Sequence, residues 1–113
     1  MTLDHNGTNT LQSTLDLAKN SNLSNIQLIT WNDFGEGTMI EPTVEFNFSF
    51  LETIQQYTGV AYTKTELELI YKWYTLRKKY KGNSSIETKL SQAYYYLVSL
   101  HVDKATAIIS DIE

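Results

Sequence analysis

Residues 26–43, IQLITWNDFGEGTMIEPT, decide how this chain reads. The first six, from Ile26 to Trp31, are β-branched, aromatic or apolar at nearly every position. That pattern predicts a short strand covered on both faces, as in a parallel sheet. The strand runs into a loop where Gly35 and Gly37 bracket Glu36, so the backbone can turn sharply and aim nearby side chains at one small space. Asp33, Glu36 and Glu41 place three carboxylates within nine residues, beside Trp31 and Asn32. Such a loop is poor material for a core and good material for a site.

Working outward, Leu11, Leu15 and Ala18 recur at i, i+4 and i+7 behind the potential caps Thr8, Asn9 and Thr10, which predicts a helix ending near Asn20. The Asn/Ser-rich residues 20–25 then read as a linker. Helix, linker and strand together make half of a βα repeat. After the loop, Pro42 blocks an early helix, Asn47 is a candidate cap for a helix over 48–58, and Gly59 ends it. From Thr63 the pattern becomes purely helical. Thr63 and Glu66 form a capping box, and Leu67, Ile70, Tyr71, Trp73, Tyr74 and Leu76 line two adjoining faces, which predicts packing on both sides. Ser84 and Glu87 repeat the box ahead of Ile86, Leu90, Ala93 and Leu97, and a last helix from near Asp103 is expected to bury Ala105, Ile108, Ile109 and Ile112.

The run Asn32, Asp33, Phe34, Gly35, Glu36, Gly37, Thr38, Met39, Ile40, Glu41, Pro42 resembles the late-strand motif of bacterial glycoside hydrolases of families 71 and 99, the group that includes endo-α-mannosidases. It is similar also to large bacterial glycoside hydrolases labelled xanthan-lyase-like, in which this loop precedes a Phe-rich helix and a helical tail. The resemblance covers about a fifth of the chain. It implies an α+β, predominantly helical fold: the last α-β-α part of a (β/α)₈ barrel over residues 1–60, then a helical appendix of about three helices over residues 61–113. A complete barrel needs ~200 residues or more, so 113 cannot form one. A portion of a larger protein is expected instead, inactive alone, its lone strand pairing with the rest of the parent barrel, with residues 39–46, or with another copy of the chain.

The resemblance also implies roles. Asp33 would deprotonate the sugar 2-hydroxyl in a substrate-assisted route, and Glu36 would serve as acid and base, so these two are the candidate catalytic residues. Asp stands where the family has Glu at the first position, which shortens the reach by one methylene, about 1.5 Å. Trp31, Asn32 and Glu41 are the candidate substrate-binding residues. Each has a plainer reading: Trp31 could stack on a pyranose or anchor the loop by burial. Asn32 could recognise a hydroxyl or brace the turn, and Glu41 could hold a hydroxyl or cap the loop. The implied partner is a polysaccharide or glycan, and the implied setting of the full-length protein is periplasmic or extracellular.

Composition narrows the field. A hydrophobic share of 42% and a charged share of 19% suit a globular chain, and a net charge of −4 disfavours nucleic-acid binding. Cysteine is absent, which rules out disulfides, thiolate catalysis and Cys-based zinc sites, and His5 and His101 lie too far apart to suggest a metal site, so no cofactor or metal is expected. Residues 1–10 lack the basic start and apolar centre of a secretion signal, and no run is long and apolar enough to cross a membrane. Arg77, Lys78, Lys79 and Lys81 fall in the last turns of a helix, where cations oppose the dipole. Tyr94, Tyr95 and Tyr96 read as core or interface packing. The main alternative function is a non-catalytic helical interaction module built from the second half, or a carbohydrate-binding accessory domain without hydrolysis.

Overall fold

The computed structural model describes residues 2–113, which divide between Thr63 and Lys64 into two compact units. The chain is predominantly helical: α1 (Asn9–Asn20), α2 (Ser49–Thr58), α3 (Lys64–Lys79), α4 (Ser84–Val98) and α5 (Val102–Ile112).

In the first unit, α1 and α2 are neighbours, and Leu15, Phe50 and Thr53 are its buried residues within the helices. The Thr53 hydroxyl donates to the Ser49 carbonyl, so this polar group is buried with its bond made. His5, Phe46 and Phe50 meet ring to ring, with centroids 4.9–5.0 Å apart. Gly59 ends α2 in the left-handed conformation, φ +72°, and its N–H donates to the Gln55 carbonyl. The cap expected at Asn47 is displaced. Asn47 itself lies at φ +51°, outside the helix, and Phe48 opens α2 without a side-chain bond.

The strand expected over residues 26–31 is not formed: the described residues contain no strand, only an isolated bridge between Thr43 and Asn47. No backbone hydrogen bond among the described residues engages residues 26–29. Further on, Thr30 N–H donates to the Thr38 carbonyl, and Ile40 and Glu41 N–H both donate to the Trp31 carbonyl. The pairing with residues 39–46 expected of a lone strand is thus reduced to the neck of a loop. A ladder needs a partner segment along its whole length, and no described segment gives residues 26–29 a backbone hydrogen bond.

In the second unit, Leu76, Leu90, Ala93 and Ile109 form one buried cluster, with Leu69, Trp73, Tyr80, Ile86, Ile108 and Ile112 packed around it. Ala93 and Ala105 are fully buried on α4 and α5, and small side chains at those positions let the two helices approach closely. Trp73 ties α3 to α4 by donating its indole N–H to the Leu90 carbonyl at 2.8 Å. The capping box is shifted by one residue: Asn83 caps α4, its side chain accepting the Ile86 N–H, while Glu87 Oε1 accepts the Gly82 N–H. Two exposed ion pairs, Lys72 with Glu113 and Lys89 with Asp111, join α3 and α4 to the end of α5.

Packing of α3 is one-sided. Leu69, Trp73 and Leu76 face the cluster, whereas Ile70, Tyr71 and Tyr74 are exposed. The tyrosine run on α4 is corrected in the same sense. Tyr94 and Tyr95 are exposed and Tyr96 is half-buried, because three consecutive helical positions spread over ~200° and only one stripe faces the core.

Candidate functional site

The carboxylate loop is closed from both ends and from within. At the neck, the Thr30 hydroxyl donates to the Thr38 carbonyl at 2.9 Å and lies 3.2 Å from the Thr38 hydroxyl. The same Thr30 oxygen accepts the Asp33 N–H at 2.8 Å, which starts the turn. Thr38 N–H then returns to the Asp33 carbonyl, and Gly37 N–H to the Phe34 carbonyl. Gly37 is buried at φ +72°, and a Cβ there would stand 3.1 Å from the Leu3 carbonyl oxygen. Leu3 N–H donates to the Glu36 carbonyl, so the amino-terminal segment backs the loop. Thr30, Thr38 and Leu3 therefore shape the site although none was singled out from the sequence. Threonines on either side of the carboxylates were the available signal, since a short hydroxyl can serve its own backbone.

The two candidate catalytic carboxylates share this turn and are both exposed, but they are used differently. Asp33 Oδ1 accepts the Glu36 N–H at 3.1 Å, the Asx geometry in which a short side chain replaces a backbone bond. The position of a Cβ on Gly35 would lie 3.5 Å from that oxygen, so glycine leaves the carboxylate room to fold over its own loop. Glu36 makes no side-chain hydrogen bond or ion pair with any described residue, and its carboxylate meets solvent.

Trp31 is 53% exposed, which removes the reading of a buried anchor, and Phe34 of the same loop is 54% exposed. Asn32 is exposed, and its carbonyl rather than its side chain braces the turn by accepting the Phe34 N–H. Glu41 is half-buried, with its N–H on the Trp31 carbonyl and no side-chain bond to the described residues. The structure thus brings Trp31, Asp33, Phe34 and Glu36 onto one compact loop. The cleft of the first unit is lined instead by apolar groups including Leu3, Leu28, Met39, Ile40 and Phe50, none of which is a candidate catalytic or binding residue.

Among the described residues no group of His, Asp and Glu is placed to hold a metal ion, and no helix is long and apolar enough to cross a membrane. No protein-family model, curated protein or solved structure matches the chain. The glycoside hydrolase resemblance expected from residues 32–42 is met by none of these comparisons.

Proposed function

We propose that the chain is the carboxyl-terminal portion of a glycoside hydrolase acting on a polysaccharide or glycan, with the loop of residues 31–41 forming one wall of its saccharide site. The observation that carries this reading is the division of work between the two carboxylates: Asp33 holds the turn, and Glu36 is left open to solvent on the loop that also exposes Trp31 and Phe34. A glycoside-cleaving site needs one carboxyl group to protonate the leaving oxygen and a second as base or nucleophile. Glu36 takes the first role and then draws the proton from the incoming water or hydroxyl. Asp33 Oδ2 takes the proton of the sugar 2-hydroxyl, whose oxygen closes on the anomeric carbon as the leaving group departs, while Oδ1 stays on the Glu36 N–H, so the turn fixes one carboxylate relative to the other. Trp31 and Phe34 offer flat apolar faces to the C–H-rich side of a pyranose.

The barrel architecture belongs to the same proposal. Ile26, Leu28 and Ile29 are 40%, 41% and 70% exposed and form no ladder. Apolar side chains on both faces of such a segment are what a parallel sheet buries, and neighbouring strands of the parent barrel would supply the missing backbone partners. A barrel site also draws residues from several strands, so the chain alone binds saccharide weakly and does not hydrolyse it. A periplasmic or extracellular setting follows from the same likeness.

Titrating ¹⁵N-labelled chain with mannose- and glucose-containing oligosaccharides tests the reading. Saturable shifts of the Trp31 indole and Glu36 amide signals at millimolar ligand support it. Unshifted loop signals, together with tight capture of a protein partner by residues 64–113, would replace it with the helical interaction module. In the parent protein, Glu36→Gln abolishes hydrolysis, whereas full activity of that variant would reduce the loop to an accessory binding role.

A further inference from the structure

The exposed face of α3 and α4 pairs aromatic rings with cations in a repeated way. Arg77 Cζ lies 5.3 Å from the Trp73 ring centroid, and Lys78 Nζ lies 5.0 Å from that of Tyr74. Both pairs are spaced i, i+4, so consecutive residues of α3 present the same ring-plus-cation unit side by side. Both distances lie within the ~6 Å of a cation–π contact, so each cation is held beside its ring with its remaining donors open to solvent. Tyr94 and Tyr95 on α4 continue the surface: Tyr94 is 5.9 Å from Trp73, and Tyr95 meets Tyr94 edge-on at 5.6 Å.

Two adjoining hollows follow this face and share Trp73 and Arg77 as a common wall. Their volumes, about 360 and 430 Å³, fall within the ~300–1,000 Å³ of small-molecule sites. Tyr94, Tyr95 and Ser91 complete one hollow, and Tyr74, Lys78 and Lys81 line the other together with Glu87. Arg77, Lys78 and Lys81 outnumber the one carboxylate, Glu87, whose Oε1 also accepts the Gly82 N–H. A chain of net charge −4 thus concentrates Arg77, Lys78, Lys79 and Lys81 within five positions at one end of α3.

We propose that this face is a second saccharide site, separate from the carboxylate loop, and that its ligand is an anionic polysaccharide carrying carboxylates on its sugar rings. A uronate residue presents an apolar C–H face and a carboxylate on the same ring. The face matches that combination, with the exposed Tyr74, Tyr94 and Tyr95 under the C–H face and Arg77 or Lys78 on the carboxylate. A nucleotide instead holds its phosphate a whole sugar away from its base, and the overall negative charge of the chain opposes a dense run of phosphates. An acidic peptide has carboxylates but no flat C–H face to lie on exposed tyrosines. The choice of a saccharide rests on the proposed glycoside hydrolase reading, whereas the preference for negative charge stands on the geometry of α3.

The test uses the full 113-residue chain, ¹⁵N-labelled, with three probes: an oligogalacturonate, a neutral mannan oligosaccharide of equal length, and oligothymidylate. The two indole N–H signals separate the sites, since Trp73 is bonded to Leu90 in the helical unit and Trp31 lies in the loop. Oligogalacturonate is expected to shift Trp73 and the Arg77 side-chain signals, with affinity falling as NaCl rises to about 0.5 M. Arg77→Gln with Lys78→Gln, both at exposed positions outside the buried cluster, weakens that binding by about tenfold or more. Tyr95→Ala weakens it without changing the salt dependence. Glu36→Gln leaves it unaltered. Equal binding of the neutral oligosaccharide at Trp73, preference for oligothymidylate, or no shift at Trp73 with folded chain would each overturn the proposal. Shifts of Trp31 by neutral sugar report on the loop alone, so the two readings fail independently.

Discussion

Replacing Leu90 by Ala removes the side chain at the centre of the helical unit. Leu90 is fully buried against Leu76, Ala93 and Ile109, so truncation leaves a cavity that α3, α4 and α5 would have to close. Buried Leu→Ala changes cost ~2–5 kcal/mol, and the Trp73 indole bond to the Leu90 carbonyl resists collapse by fixing α3 against α4. A loss near 3 kcal/mol is therefore expected. A unit of about 50 residues has a total stability of only ~2.5–7.5 kcal/mol at 0.05–0.15 kcal/mol per residue. With an unfolding entropy of ~0.1 kcal/mol/K for that size, the midpoint falls by ~30 °C. Urea unfolding followed by far-UV circular dichroism and by the Trp73 indole signal measures the change. Val98→Ala, at a 59% exposed position of the same helix, is the control and should stay within ~0.5 kcal/mol of the parent chain. A loss below ~1 kcal/mol for Leu90→Ala, with a sharp transition retained, would refute the packing of the three helices around this residue.

Glycine requirements differ at two positions of equal φ. Gly37→Ala should cost clearly more than Gly59→Ala by urea denaturation, because both bear the ~1–2 kcal/mol of a left-handed conformation but only Gly37 would also press a Cβ onto Leu3 backbone. Asp33→Asn keeps an oxygen for the Glu36 N–H and should preserve the loop, whereas Asp33→Ala loses about 1 kcal/mol of local bonding. Amide exchange at Glu36 distinguishes the two, and faster exchange in Asp33→Asn alone would argue against the turn. Asn83→Ala removes the cap on Ile86 and should lower the stability of the helical unit by ~1 kcal/mol in the same urea experiment. Lys89→Met breaks an exposed ion pair with Asp111 and should shift the midpoint by less than the cap variant does.

Five helices were legible from periodicity and punctuation, and Gly59 was legible as a stop because only a left-handed residue closes α2 there. Their core positions were legible too: Leu90, Ala93, Ala105 and Ile109 fall on single stripes that can face only one way. The loop and its acidic residues were visible as composition, since glycine and carboxylate cannot build a core. Three things depended on distant partners and were therefore decided by tertiary structure. Residues 26–31 have strand character, yet a strand exists only where neighbouring backbone completes its ladder, and among the described residues Thr38, Ile40 and Glu41 meet only the neck. Asp33 and Glu36 look equivalent in sequence, but folding the turn engages one carboxylate with backbone and frees the other. On α3 and α4, the clustered aromatic residues give no hint of which rings are covered. Packing of Trp73 against Leu90 turned Tyr74, Tyr94 and the cations outward together, because a helix can bury one stripe against its neighbours and must leave the other to solvent.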